Sequence, residues 1–241
     1  MNSFTLKIIA VILMTFDHLY SFFPNIFPYW FTCIGRLSAP LFFFCLAWGL
    51  HYTHNKLNYL KRLYIGSLIM GIGDTMLPII FHAPQGHLMN NIFSTMLCTA
   101  IIAFLIDLYR SNDPRFKKYC FGFIALQAVQ LFICIVTVNF APKFINLAIG
   151  VFPSIFGVEG DIMCISMGIL LYLFKDDRIK LIISFTLLSL FWIALNPIQW
   201  LIIFSLPLML LYNNKRGYGM KYFFYIYYPL HIFIFYILSV I

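Results

Sequence analysis

Charged residues are scarce in this chain. They make up 10% of its 241 residues, and only eight of them are acidic, whereas an average soluble domain carries about 25%. So few charges cannot cover a water-facing surface. Several apolar runs also reach or approach the roughly 20 residues that span a bilayer. The composition therefore excludes a soluble enzyme or binding domain and predicts a polytopic, all-α membrane protein.

Motifs that mark many soluble enzymes are missing as well. The six cysteines form no CxxC pair and no metal-ligand spacing, which predicts reduced thiols and no metal site. No glycine-rich phosphate loop is present, so the residues themselves point to no nucleotide. The amino-terminal segment lacks a small-residue cleavage site, and we expect residues 4–24 to remain as a helix.

Basic residues are concentrated in four short clusters between the apolar runs, at 51–62, 110–118, 175–180 and 213–221. This distribution is typical of cytoplasmic loops under the positive-inside rule. We therefore interpret the net charge of +8 as a topology signal and not as a nucleic-acid-binding surface. The pattern predicts a protein of the cytoplasmic membrane with its N-terminus on the inside.

The apolar runs predict nine spans: 4–24, 29–50, 63–82, 90–109, 119–140, 158–174, 180–196, 198–212 and 222–240. The path from 118 to 175 starts and ends inside, so it needs an even number of crossings. Residues 142–157 should then be re-entrant or lie at the outer interface; if they span, the bundle has ten helices. We expect one integral-membrane domain over 1–241, an all-α transmembrane bundle of about nine to ten spans.

Asp17 and His18 lie in the middle of the first span. On insertion scales, a charged group such as Asp costs about 2.5–3.5 kcal/mol at mid-helix. His18 lies about 16 Å along the helix from Lys7 and on the same face. Arg36, early in the second span, reaches a similar depth. Because adjacent helical residues point about 100° apart, we expect His18 to face the interior as a general base while Asp17 pairs with Arg36 or Asp74.

Other intramembrane polar residues are Asp74, Glu159, Asp161, His231 and Tyr228. A buried charge in lipid must be paired or face water, so a common interior cavity for Asp17, Arg36 and Asp74 is the simplest arrangement. Structural alternatives stay open. A histidine such as His231 can serve only as a hydrogen-bonding group between helices, a boundary lysine can reach the interface, and Arg36 can be a counter-ion to Asp17.

Four stretches carry a resemblance to a known family: "LKIIAVILMTFDHL", "IGRLSAPLFFFCLAWGL", "NIFSTMLCTAII" and "NNKRGYGMKYFFYIYYPLHIFIFY". In this order, over nearly the whole chain, they resemble the TraX family. That family is named for a conjugation protein that acetylates the N-terminus of pilin subunits. It is related to the integral-membrane acyltransferases, which carry acetyl groups from cytoplasmic acetyl-CoA to extracytoplasmic acceptors.

The resemblance implies an acetyl-CoA-dependent membrane acyltransferase. His18 matches the essential first-helix histidine of the superfamily. Lys7 stands where the superfamily has an arginine and would keep its charge without the bidentate fork suited to phosphate. Arg36 followed by "LFFF" matches the second-helix motif, and we expect it to stabilise a developing oxyanion. Arg62 and Arg216 in the basic loops would attract the CoA phosphates.

The expected partners are membrane lipid, acyl-CoA and an extracytoplasmic acceptor, a peptide N-terminus or a glycan. Two functions from other classes stay open. A proton-coupled transporter or flippase would also use Asp17, His18 and Arg36, although no inverted repeat is visible. A non-catalytic subunit of an envelope assembly would tolerate replacement of all three residues.

Overall fold

The computed structural model describes residues 1–82, 91–194 and 196–241, and it is helical through most of them without a β-strand in these ranges. The α-helices are α1 (Ser3–Phe22), α2 (Trp30–Gly35), α3 (Ser38–Tyr52), α4 (Lys56–Ile80), α5 (Ile92–Arg110), α6 (Arg115–Phe140), α7 (Ile145–Val151), α8 (Asp161–Phe174), α9 (Arg178–Ile193), α10 (Leu206–Leu210) and α11 (Lys221–Val240).

Six helices in the described ranges are long and apolar enough to cross a membrane: α1, α2 and α3 taken together, α4, α5, α6 and α11. They correspond to six of the nine predicted spans. The prediction of an all-α, polytopic membrane protein is thus confirmed.

The other three predicted spans form shorter helices. α8 has 14 residues and α9 has 16, while the segment expected at 198–212 is a seven-residue 3-10 helix (Gln199–Ser205) followed by the five residues of α10. A helix of about 20 residues is needed to cross the hydrocarbon layer. Proline accounts for two of these bounds: α9 ends before Pro197, and Pro207 lies in the first turn of α10.

Residues 142–157 do not form a spanning helix. A 3-10 turn, Pro142–Phe144, leads into the seven residues of α7. The chain then continues without helix to α8 and has positive φ angles at Gly157 and Gly160. The ten helical residues rise about 16 Å, roughly half the thickness of the hydrocarbon layer. The expectation that this piece does not cross on its own agrees with its length.

The chain divides into two compact units, Met1–His51 with Leu170–Ile241, and Tyr52–Ile169. In the first unit α1 packs against α2 and α11. The buried side of α1 repeats every four residues, as the helical period requires, at Leu6, Ala10, Met14 and His18. On α11, Tyr228, Ile232 and Tyr236 repeat in the same way beside His231. The prediction of one domain over 1–241 stays a prediction.

In the second unit α4 packs against α5 and α7. The closest approach joins Gly71 of α4 to Gly150 of α7: a Cβ on Gly71 would lie 2.9 Å from the Cα of Gly150. Only glycine allows two helix backbones to come this near. The contact brings Asn146 against the last turns of α4, where it donates a hydrogen bond to the carbonyl of Asp74.

Candidate functional site

His18 of α1 and His231 of α11 form a buried histidine pair in the first unit. The Nδ1 of His18 lies 2.7 Å from the Nε2 of His231. The two rings are stacked, with centroids 4.9 Å apart and 21° between their planes. Both side chains are at least nine-tenths buried. The ring of Tyr228, also buried, packs edge-to-face with both imidazoles.

A hydrogen bond to the backbone sets the tautomers of this pair. The Nδ1 of His231 lies 2.8 Å from the carbonyl oxygen of Tyr227, one turn earlier. A carbonyl can only accept, so this Nδ1 donates, and in a neutral ring the Nε2 of His231 then accepts. The Nδ1 of His18 must therefore donate to it. In the neutral pair, the ring nitrogen of His18 that carries a lone pair is Nε2.

The Tyr227 side chain contacts both His231 and α1. Its ring stacks on that of His231 at 4.9 Å, and its hydroxyl lies 2.7 Å from the Oγ1 of Thr15 on α1. The pair is thereby held from both helices. A base whose ring is oriented by a second group is the usual arrangement for proton transfer in an enzyme site.

Asp17 points away from the pair and toward α2, as the 100° step between neighbours requires. Its Oδ1 accepts from the Oγ1 of Thr32 at 2.5 Å and from a guanidinium nitrogen (Nη2) of Arg36 at 3.1 Å. The same nitrogen donates to Thr32 at 2.8 Å, closing a triangle. Of the two pairings expected for Asp17, the one with Arg36 is present.

Two small local features position this triangle. A Cβ on Gly35 would lie 2.4 Å from the Cβ of Asp17, so glycine is needed for α2 to approach α1 this closely. The span predicted at 29–50 is broken between α2 and α3, at Arg36 and Leu37. Pro40 explains the break, because it has no N–H for the carbonyl of Arg36 and its ring crowds that carbonyl.

Two of the three residues predicted to bind CoA lie in the same unit. Lys7 is on α1, with its ammonium 5.5 Å above the ring of Phe224. Arg216 lies in the loop before α11, and its carbonyl accepts from the backbone N–H of Phe4. Arg62 belongs to the second unit, where its guanidinium lies over the ring of Tyr59.

A basic pocket of about 130 Å³ also lies in the first unit. Its charged lining consists of Lys175 and Asp176 in the loop before α9 and Arg178 at the start of α9. Lys175 pairs with Asp176 at 2.9 Å, so the pocket keeps one net positive charge. Trp48 and Tyr212 supply aromatic walls, with ring centroids 5.2 Å apart. Basic and aromatic side chains together suit a phosphorylated, aromatic ligand such as a nucleotide.

The remaining predicted residues fall in the second unit. Asp74 lies near the end of α4 and Glu159 just before α8, and they line one cavity there. That lining contains neither Asp17 nor Arg36, so the shared cavity expected for Asp17, Arg36 and Asp74 is not the one that Asp74 lines. The backbone of Asp161 opens α8, whereas its side chain lies outside the described residues.

Comparison with known proteins gives one family. A family profile described as "TraX protein" matches residues 3–239. The chain belongs to the TraX family. It is also 27% identical, over 259 aligned positions, to the "Probable fimbrial assembly protein FimC, serogroup H1" of Dichelobacter nodosus. That alignment covers 96% of this chain and 93% of the relative. No solved structure matches the chain.

The sequence of this TraX-family chain did not predict the contact between His231 and His18. The signal was present only in part: both are mid-helix histidines within buried stripes, but they are 213 positions apart. Lys175 and Arg178 were predicted only to belong to a basic cytoplasmic loop. Their aromatic neighbours come from α3 and from the chain after α10, which no local pattern connects to α9.

Proposed function

We propose that this TraX-family protein is a membrane-bound, acetyl-CoA-dependent acyltransferase of the cytoplasmic membrane. It would move an acetyl group from cytoplasmic acetyl-CoA to an amine or hydroxyl acceptor on the outer side. The observation that carries this proposal is the hydrogen-bonded chain from the Tyr227 carbonyl through His231 to His18. It gives the neutral His18 a lone pair at Nε2, which a general base requires.

The reaction needs one base and one oxyanion donor. The acceptor's nitrogen or oxygen attacks the thioester carbonyl carbon while Nε2 of His18 takes its proton. The C–S bond then breaks, and the same proton passes from His18 to the leaving CoA thiolate. His231 is a positioning residue here, since it acts on the reaction through the His18 ring.

Arg36 is the proposed oxyanion donor. Two contacts, to Asp17 and Thr32, hold one end of its guanidinium in place. Its Nε–H is buried and has no hydrogen-bond acceptor among the described residues. A fixed donor with an unused N–H can stabilise negative charge that develops only in the transition state, and removing such a donor typically costs about 100–1,000-fold in rate.

The basic pocket at Lys175 and Arg178 supports a nucleotide-bearing donor. Its wall residue Asn214 belongs to the loop that also bonds the start of α1: the N–H of Ser3 donates to the carbonyl of Lys215. From Ser3 to His18 the helix rises about 22 Å. The pocket, at about 130 Å³, would bind a phosphate group of CoA, and the long pantetheine arm would carry the thioester along α1 toward His18.

We infer the chemical class of the acceptor from the similar protein of Dichelobacter nodosus. The Dichelobacter nodosus protein is described as a probable fimbrial assembly protein, which favours a fimbrial or pilin subunit over a glycan as the molecule that receives the acetyl group.

The test uses the purified full-length protein in detergent. Acetyl-CoA at about 100 times its Kd should raise the free energy of unfolding by about 2.7 kcal/mol, or Tm by roughly 5–11 °C for a chain of this size. Slow acetyl-CoA turnover should be lost in His18→Ala and kept in the control His54→Ala, an exposed histidine in the loop before α4. No shift at millimolar acetyl-CoA, or more than a few percent of wild-type turnover in His18→Ala, would overturn the proposal.

A further inference from the structure

A cavity of about 250 Å³ lies within the second unit, beside the last turns of α4 and the loop that precedes α8. Its polar lining comes from two carboxylates, Asp74 and Glu159, and two carboxamides, Asn91 and Asn146. We call this space the Asp74 cavity. No residue of the histidine pair or of the Asp17–Arg36 triangle takes part in it.

Asp74 is the least expected residue of the lining. Its side chain is 2% exposed, and its Oδ1 has no hydrogen-bond partner among the described residues. Buried carboxyl groups are normally paired or hydrogen-bonded, because an unsatisfied one is costly. A carboxylate that lines a cavity, with one oxygen lacking a hydrogen-bond partner among the described residues, is suited to a partner that enters the cavity.

Asn146 supplies a hydrogen bond that the backbone of α4 lacks at Asp74. Pro78, one turn later, has no N–H for the Asp74 carbonyl. The Nδ2 of Asn146 replaces that donor at 3.3 Å. The helix continues past the proline to Ile80, and Asp74 lines the cavity.

Both carboxamides donate to backbone carbonyls. The Nδ2 of Asn146 is directed to the Asp74 carbonyl, and the Nδ2 of Asn91 donates to the carbonyl of Ser67 at 3.0 Å. Glu159, whose own carbonyl is bonded to Thr95 at 2.8 Å, adds a second negative group to the same wall. The cavity wall thus offers carboxyl oxygens as hydrogen-bond acceptors.

We propose that the Asp74 cavity binds a ligand bearing a primary ammonium group, held by Asp74 and Glu159. A charged N–H donor satisfies both the unpaired oxygen and the like charges of two carboxylates. The volume corresponds to about eight waters at 30 Å³ each, which is room for a small organic ammonium. Hard metal ions take six or more oxygens, and the described residues hold no group of three His, Cys, Asp or Glu suited to a metal. This site would bind its ligand whether or not the protein transfers acetyl groups.

The experiment follows thermal unfolding of the purified protein during titration with ethylammonium chloride, with tetramethylammonium and sodium chloride at equal concentration. Tetramethylammonium has the charge without N–H donors. We expect a saturable rise in Tm with ethylammonium alone, and at least tenfold weaker binding in Asp74→Asn. The control Asp176→Asn changes an exposed carboxylate and should bind like the wild type.

Glu159→Gln provides a second variant if Asp74→Asn does not fold, and it too should weaken binding. A dipeptide amide with a free amino terminus, compared with its N-acetylated form, then distinguishes a chain terminus from a free amine as the source of the ammonium. The proposal is overturned by no saturable shift, by an equal shift with tetramethylammonium, or by equal affinity in wild type and both cavity variants. A larger shift with Mg²⁺ or Ca²⁺ would also overturn it, in favour of a metal site.

Discussion

Replacing Gly35 with alanine should separate α1 from α2 and disrupt the Asp17–Arg36 pair. The new Cβ would lie 2.4 Å from the Cβ of Asp17 and 2.9 Å from its Cα, whereas ordinary contact begins at 3.4 Å. The helices must therefore move apart by about 1 Å, the difference between 3.4 and 2.4 Å. The 3.1 Å contact between Arg36 and Asp17 would lengthen to about 4 Å, beyond hydrogen-bonding distance.

Overpacking of this kind typically costs about 1–3 kcal/mol. For a chain of this size, that corresponds to a fall in Tm of about 2–12 °C. The assay is thermal unfolding in detergent, with Gly122→Ala as the matched control, because a Cβ on Gly122 of α6 meets nothing within 4 Å. That control should be neutral or slightly stabilising. Equal Tm values for Gly35→Ala and Gly122→Ala would refute the close approach of α1 and α2.

Two further predictions concern the second unit. Gly71→Ala should lower Tm by a similar amount, since its Cβ would lie 2.9 Å from the Cα of Gly150; an unchanged Tm would contradict the packing of α4 on α7. In the loop before α6, hydrogen bonds from the Arg115 side chain lower the pKa of Asp113 to about 2. Because this pKa is depressed, the stability it contributes is present above the ordinary value of 3.8 and is lost as pH falls toward 2. Unfolding of wild type and Asp113→Asn should therefore differ at pH 6 and converge near pH 2; a constant difference would contradict the assignment.

The fold class followed from composition and apolar run length. A bilayer requires few charged residues and apolar helices of about 20 residues. The pairing of Asp17 with Arg36 was also within reach, since consecutive spans are usually neighbours and the two residues have similar depths. The break at Arg36 could have been read from Pro40, four residues later, but the apolar run concealed it.

Other features depend on packing that one sequence does not encode locally. The contact of His18 with His231 requires that the first and last long helices meet in one particular register. The Asp74 cavity requires that α7, too short to span, packs against α4 through Gly71 and Gly150. A hydropathy profile shows α7 only as part of a short apolar stretch and does not indicate its packing partner.

The central claim is that His231 holds His18 in the tautomer that leaves its Nε2 as the base. The most direct measurement compares acetyl-CoA turnover in His231→Gln and His231→Phe. Glutamine can still accept from the Nδ1 of His18, whereas phenylalanine keeps the ring stack without an acceptor. We predict a loss on the order of 10–100-fold in His231→Phe, by analogy with groups that orient metal-bound histidines, and partial recovery in His231→Gln. Equal turnover in the two variants would contradict the claim.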